Sequence, residues 1–169
     1  ITPENWLLMY MNAGIDCVAI TDHNSGEWID TLKAALAGME SSDPKPVGYR
    51  KIFLFPGVEI SASGNIHILA LFDPSAATSN VQALLGAINF PTAHIGTTDA
   101  VSTKSVEEVI SAIHSAGAIA IPAHVDEASG VFSLTGFTFT HAIKSEGLLA
   151  IEVIDKTRDK PELYKQAKL

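Results

Sequence analysis

Cysteine is almost missing from this chain. Cys17 is the single one in 169 residues, so an internal disulfide is excluded and a reducing compartment, by default the cytoplasm, is expected. No apolar run approaches the roughly 20 residues that a membrane-crossing helix needs. The opening Ile1-Thr2-Pro3-Glu4 has neither the basic nor the apolar region of a signal peptide, so no membrane partner is expected. Positive charge is scarce too: 11 Lys and Arg stand against 19 Asp and Glu, a net charge of -8. That balance argues against a broad face for the phosphates of duplex nucleic acid, and an anionic substrate would need metal ions to offset it. Lys156, Arg158, Lys160, Lys165 and Lys168 crowd the last fourteen positions, as a solvated helix face or a phosphate-contacting patch. There is no glycine-rich nucleotide loop, no Gly-x-Ser-x-Gly elbow and no Cys-x-x-Cys pair. Nucleophilic catalysis by Ser or Cys is therefore poorly supported.

What is present is apolar and periodic. Hydrophobic residues make up 47% of the chain, enough to pack one domain and too little length for two sizeable ones. Thr2 and Pro3 start a helix that Gly14 can close. Strands are expected over 16–21, 51–55, 65–72, 118–121 and 148–154, with Pro56-Gly57 turning the chain before Val58-Glu59-Ile60 resumes an extended course. Helices are expected over 27–40, 78–88, 138–146 and 160–169, and from Ser105 to Gly117 with Val106, Val109, Ile110 and Ile113 as one apolar stripe. The stretch 89–104 has no clear period and reads as a functional loop or an insertion. Alternating strands and helices predict an α/β fold with a parallel sheet. Five visible strands are too few for a closed (β/α) barrel, so an incomplete barrel, with both ends cut from something longer, is the expectation.

Four of the apolar runs carry a metal-ligand side chain at or near one end: His23 after Val18-Ala19-Ile20, Glu59 after Phe53-Leu54-Phe55, His67 between Ile66 and Ile68, and His124 after Ile119-Ala120-Ile121. Chemistry in such sheets gathers at the carboxyl ends of strands, which would bring His23, Glu59 and His124 to one mouth. Singly, each has the plainer reading of a loop residue capping the next helix. Together, three His and one Glu form the nitrogen-and-oxygen set that suits zinc, manganese or iron, and a carboxylate such as Glu59 can bridge two ions. His67 could instead be a satisfied core histidine, but an aliphatic strand offers an imidazole few partners. Asp22 and Asp126, flanking His23 and His124, could orient an imidazole or position a water, with helix capping as the alternative. His114, near the end of its helix, reads as a dipole partner. His94 and His141 have no visible partner.

The segments Ala19-Ile20-Thr21-Asp22-His23-Asn24, Pro56-Gly57-Val58-Glu59-Ile60-Ser61, His67-Ile68-Leu69-Ala70-Leu71-Phe72 and Ile121-Pro122-Ala123-His124-Val125-Asp126 resemble the PHP (polymerase and histidinol phosphatase) superfamily in order and spacing. Within it they look most like the PHP domain at the N-terminus of TrlF-type AAA-like ATPases. The resemblance implies a distorted seven-stranded (β/α) barrel, of which 1–169 would be an incomplete central portion forming a single PHP-like domain. It also implies two or three divalent metal ions and hydrolysis of phosphate mono- or diesters by metal-activated water, in a nucleotide or at nucleic-acid ends. His23, Glu59, His67 and His124 would be metal ligands, Glu59 the bridging one, with Asp22 and Asp126 as further catalytic candidates. The family's opening His-x-His and closing Asp-x-His pairs would precede Thr2 and follow Leu169, so about half of the ligand set implied by the resemblance lies outside this segment, which by itself is expected to be inactive. A scaffold module attached to an ATPase, and a barrel hydrolase of the amidohydrolase kind, are the competing expectations.

Overall fold

The β-branched and aliphatic runs form strands whose even-numbered residues all point one way. In the computed structural model, which describes residues 1–165, these are β1 (Cys17–Ile20), β2 (Phe53–Ala62), β3 (Ile66–Leu71) and β4 (Ile119–Pro122), in the sheet order β1-β2-β3-β4. Registers Val18↔Leu54, Val58↔Ala70, Ile60↔Ile68 and Ala70↔Ala120 put the buried set on one face. The other face carries Phe55, Glu59, Ser61, His67, Leu69 and Ile121, because successive side chains on a strand alternate sides.

Helices α1 (Pro3–Asn12), α2 (Trp28–Ser41), α3 (Thr78–Ala87), α4 (Val106–Ser115) and α5 (Gly136–Ile143) supply the rest of the core, and α6 (Pro161–Tyr164) lies near the end. Thr2 caps α1 by accepting the Asn5 N–H at 3.2 Å. Ser105 and Glu108 form a reciprocal capping box at the start of α4, whose predicted stripe Val106, Val109, Ile110 and Ile113 is buried. No helix among the described residues is long and apolar enough to cross a membrane.

The parallel sheet expected from the sequence is corrected to a mixed one. Only β1 and β2 run parallel; β2–β3 and β3–β4 are antiparallel. The cause is local: β2 and β3 are separated only by Ser63, Gly64 and Asn65, the last two at φ 81 and 58. So short a link can join only antiparallel neighbours. Pro56-Gly57 does not turn the chain either. β2 runs straight through it, pairing with β1 before and β3 after, and a Cβ on Gly57 would lie 2.7 Å from the Ala70 carbonyl oxygen.

The fifth predicted strand, 148–154, reduces to one bridge, Ala120↔Leu148, plus two backbone bonds at Glu152. Pro122, which has no N–H, interrupts its ladder with β4. A seven-stranded barrel is accordingly not seen among the described residues; four strands form one open sheet. Of the helix expected over 160–169, residues 166–169 lie outside the described residues, as does Lys168 of the basic cluster. Arg158 of that cluster is held by Asp126, Glu127 and Asp155, which disfavours a free phosphate patch.

Candidate metal centre

Glu59 sits at the middle of β2 on the face away from the helices. Its diagonal neighbour across the hairpin is His67, opposite Ser61, and long side chains at such positions can meet. They do: His67 Nδ1 lies 2.9 Å from Glu59 Oε1. The same oxygen is 3.2 Å from His124 Nε2, and His67 Nδ1 and His124 Nε2 are themselves 3.2 Å apart. On the other side His23 Nε2 lies 3.7 Å from Glu59 Oε2. The rings of His23, His67 and His124 stack edge to face in sequence, with centroids 5.0 and 5.1 Å apart. The three histidines expected as ligands thus converge on the carboxylate of the fourth candidate, Glu59.

Backbone bonds explain the convergence. The Glu59 N–H donates to the Asp22 carbonyl at 3.1 Å and the Asn24 N–H donates to the Glu59 carbonyl at 2.8 Å, so the loop after β1 continues the parallel ladder and sets His23 beside Glu59. The His67 N–H donates to the Ser129 carbonyl, and the Ala123 N–H donates to the His67 carbonyl, both at 3.0 Å. The loop that carries His124 is therefore tied to the strand that carries His67.

Asn24, next to His23, fastens the first of these loops. Fully buried and at φ 50, it donates from Nδ2 to Ser61 Oγ (3.2 Å) and to the Thr97 carbonyl (3.0 Å), and its Oδ1 accepts the Ser61 N–H (3.0 Å). Asn is among the few non-glycine residues that enter this left-handed region readily. The Gly96 N–H also donates to the Asn24 carbonyl at 3.1 Å. The unassigned stretch 89–104 is therefore fastened to the loop that carries His23.

The two aspartates behave differently from the ligands. Asp22 is exposed and shares with His23 the wall of a cavity of about 700 Å³ that also includes Trp6, Tyr10 and Trp28. The Asp126 side chain is almost fully enclosed and accepts the N–H groups of Ile154 and Asp155 at 3.0 and 2.8 Å. Its carboxyl is held below the usual range, chiefly by the Ile154 N–H. Its bonds thus run to the strap 154–155. His94 and His141 do have partners, Asp99 at 3.1 Å and Glu107 at 2.9 Å. The fold also brings in Glu152, whose carboxylate accepts the His124 N–H at 2.8 Å; no spacing along the sequence links it to His124.

The arrangement fits a divalent ion. Two N–H groups directed at one carboxylate oxygen, 3.2 Å from each other, would crowd their protons. A cation among Glu59 Oε1, His67 Nδ1 and His124 Nε2 would instead use three lone pairs. Their separations of 2.9, 3.2 and 3.2 Å are close to the roughly 3.3 Å edge of a tetrahedron with metal–nitrogen bonds of about 2.0 Å. Burial pushes the His67 imidazole below its ordinary value, outweighing the opposing pull of Glu59, so the neutral, ligating form prevails. The opposite ring nitrogens, His23 Nδ1 and His124 Nδ1, are buried without a hydrogen-bond partner among the described residues, and an ion at the Nε2 atoms would leave them so. His23, Glu59 and His67 by themselves also present ligand atoms within 4.8 Å of one another.

No protein-family model matches the chain, and no curated protein matches it. Among solved structures it is similar in fold to a protein from Bifidobacterium adolescentis assigned as a metal-dependent phosphoesterase. That match has 21% identity and a TM-score of 0.58, over 99% of this chain and 76% of that one. It is also similar to a lesion-specific endonuclease from Pyrococcus furiosus, with 16% identity and a TM-score of 0.53, over 79% of this chain and 32% of that one.

Proposed function

We propose that this chain carries the centre of a metal-dependent phosphoesterase that hydrolyses a phosphate mono- or diester with metal-activated water. The observation that carries this reading is the meeting of three imidazoles from three separate segments on the carboxylate of Glu59. The fold likeness to a protein assigned as a metal-dependent phosphoesterase and to an endonuclease supports it. His23, Glu59, His67 and His124 would hold two or three ions of zinc, manganese or iron. Such ions, when bound, polarise a phosphoryl oxygen and make a water a stronger nucleophile at neutral pH.

The chain's own residues do the rest. Glu59, presenting one oxygen to His67 and His124 and the other to His23, spans the cluster and offsets cationic charge. Asn24 and the backbone ladder keep His23 from swinging away. The cavity beside His23 has an aromatic wall of Trp6, Tyr10 and Trp28 facing polar residues such as Asp22, Ser25 and Glu27, a mixed seat for the organic part of a substrate such as a nucleotide or a nucleic-acid end. The finer assignment, a TrlF-type PHP domain attached to an ATPase, rests on the Thr21–Ser25, Phe55–Ser61 and Pro122–Asp126 segments.

One observation favours the scaffold alternative: Asp126, a candidate to position water, is committed to the backbone of 154–155. Zinc titration and turnover of p-nitrophenyl phosphate and its bis-ester on the complete domain, with the flanking His-x-His and Asp-x-His segments, with and without Glu59→Ala, separate the readings. The variant is expected to lose zinc binding and at least about 100-fold in rate. Unchanged activity would remove Glu59 from the role given to it, and tight zinc binding without any turnover would favour the scaffold.

A further inference from the structure

Glu152 belongs to none of the ligand segments, yet its backbone and side chain both engage the turn that presents His124. The Glu152 N–H donates to the Pro122 carbonyl at 3.0 Å. A regular parallel ladder would then return the N–H two residues further on, that of His124, to the Glu152 carbonyl. Here the Val125 N–H takes that carbonyl instead, at 2.9 Å. One extra residue has been inserted, and it is His124, at φ 31. This is a bulge, a device that re-aims a side chain at the cost of an unpaired backbone group. The displaced His124 N–H is caught by Glu152 Oε2 at 2.8 Å. Gly130 closes the turn from the other side, where a Cβ would lie 2.3 Å from the His124 carbonyl oxygen.

We propose that Glu152 is a positioning residue of the metal centre: its carboxylate holds the His124 bulge and thereby aims His124 Nε2 at the seat shared with Glu59 and His67. This rests on the metal-centre reading above. Glu152 makes its bond to the backbone of the ligand residue, so the coordinating atoms themselves are unchanged when it is replaced. Removing the carboxylate strands the His124 N–H in a partly buried turn, and the strained φ relaxes at the expense of the ring's orientation.

The test compares the 169-residue chain with Glu152→Ala and Glu152→Gln, the latter keeping an acceptor oxygen. In metal-free protein, NMR contacts between the ring protons of His67 and His124 are expected in the parent and the Gln variant and absent in the Ala variant. Calorimetric titration with zinc alone is expected to show affinity about 10- to 100-fold weaker in the Ala variant and within about threefold of the parent in the Gln variant. An Ala variant that keeps both the ring contact and the parental affinity overturns the proposal, as does a folded Gln variant that loses both. If the Ala variant does not fold, Glu152→Asp, with its carboxylate drawn back by one methylene, is read in its place by the same criteria. A parent chain that binds no zinc would sink the functional reading, and the metal-free ring contact would still decide the role of Glu152.

Discussion

Replacing Asn24 tests how the loop bearing His23 is held. Asn24→Ala removes three hydrogen bonds, to Ser61 Oγ, the Ser61 N–H and the Thr97 carbonyl. At about 1 kcal/mol net for each, that is roughly 3 kcal/mol, and the buried Ser61 N–H left without a partner keeps the figure from being lower. Alanine must also hold φ 50, which costs roughly 1 kcal/mol more than it costs glycine. The expected loss is about 4 kcal/mol for Ala and about 3 kcal/mol for Gly, a large part of the 5 to 15 kcal/mol typical of a domain. In urea, with a slope of about 2 kcal/mol per molar, these become midpoint shifts of about 2 M and 1.5 M. Trp6 and Trp28, at the cavity that His23 lines, supply a fluorescence probe. A shift under about 0.5 M for Ala would show that the Asn24 side chain does not fasten the loop. Gly less stable than Ala would refute the backbone part of the argument.

Gly130→Ala places a methyl 2.3 Å from the His124 carbonyl oxygen and 2.4 Å from the Val125 carbonyl. Since both are backbone, a loss of at least about 2 kcal/mol is expected together with weakened zinc binding. Gly86→Ala, in α3 with nothing within 4 Å, is the control and should stabilise by up to about 1 kcal/mol on thermal unfolding. For Asp126 the sign follows from its lowered folded value. The folded state is favoured while the carboxyl is ionised, above about pH 3.9, and that advantage disappears as pH falls through the lower folded value. Melting temperatures between pH 7 and 3 should therefore fall less steeply at the acid end in Asp126→Asn than in the parent; equal slopes would mean the strap over 154–155 gains nothing from this charge.

Much of the local structure could be read from the chain itself. Helix starts at Thr2 and Ser105 and the α4 stripe depend on spacings within one segment, and these reappear as expected; the positions of His23, Glu59, His67 and His124 at the apolar runs are likewise readable from the chain. His67 shows where such reading stops. Its neighbours Ile66 and Ile68 are compatible with a core histidine, and only the register Ser61↔His67 brings it diagonally to Glu59.

Strand direction stopped in the same place. Aliphatic content suggested parallel strands, whereas the three-residue link at Ser63–Asn65 makes β2 and β3 antiparallel. Asp126 looked like a partner for His124 because it is two residues away, yet its bonds run to residues 28 and 29 positions further on. Glu152, 28 positions from His124, makes the contact instead.

Residue chemistry and short-range periodicity were thus determined by the sequence alone, since they depend on atoms a few bonds or one helical turn apart. Which ligands meet, and which polar groups hold them there, was decided only by the tertiary structure. Those relations come from hydrogen-bond registers between segments that spacing along the chain does not encode.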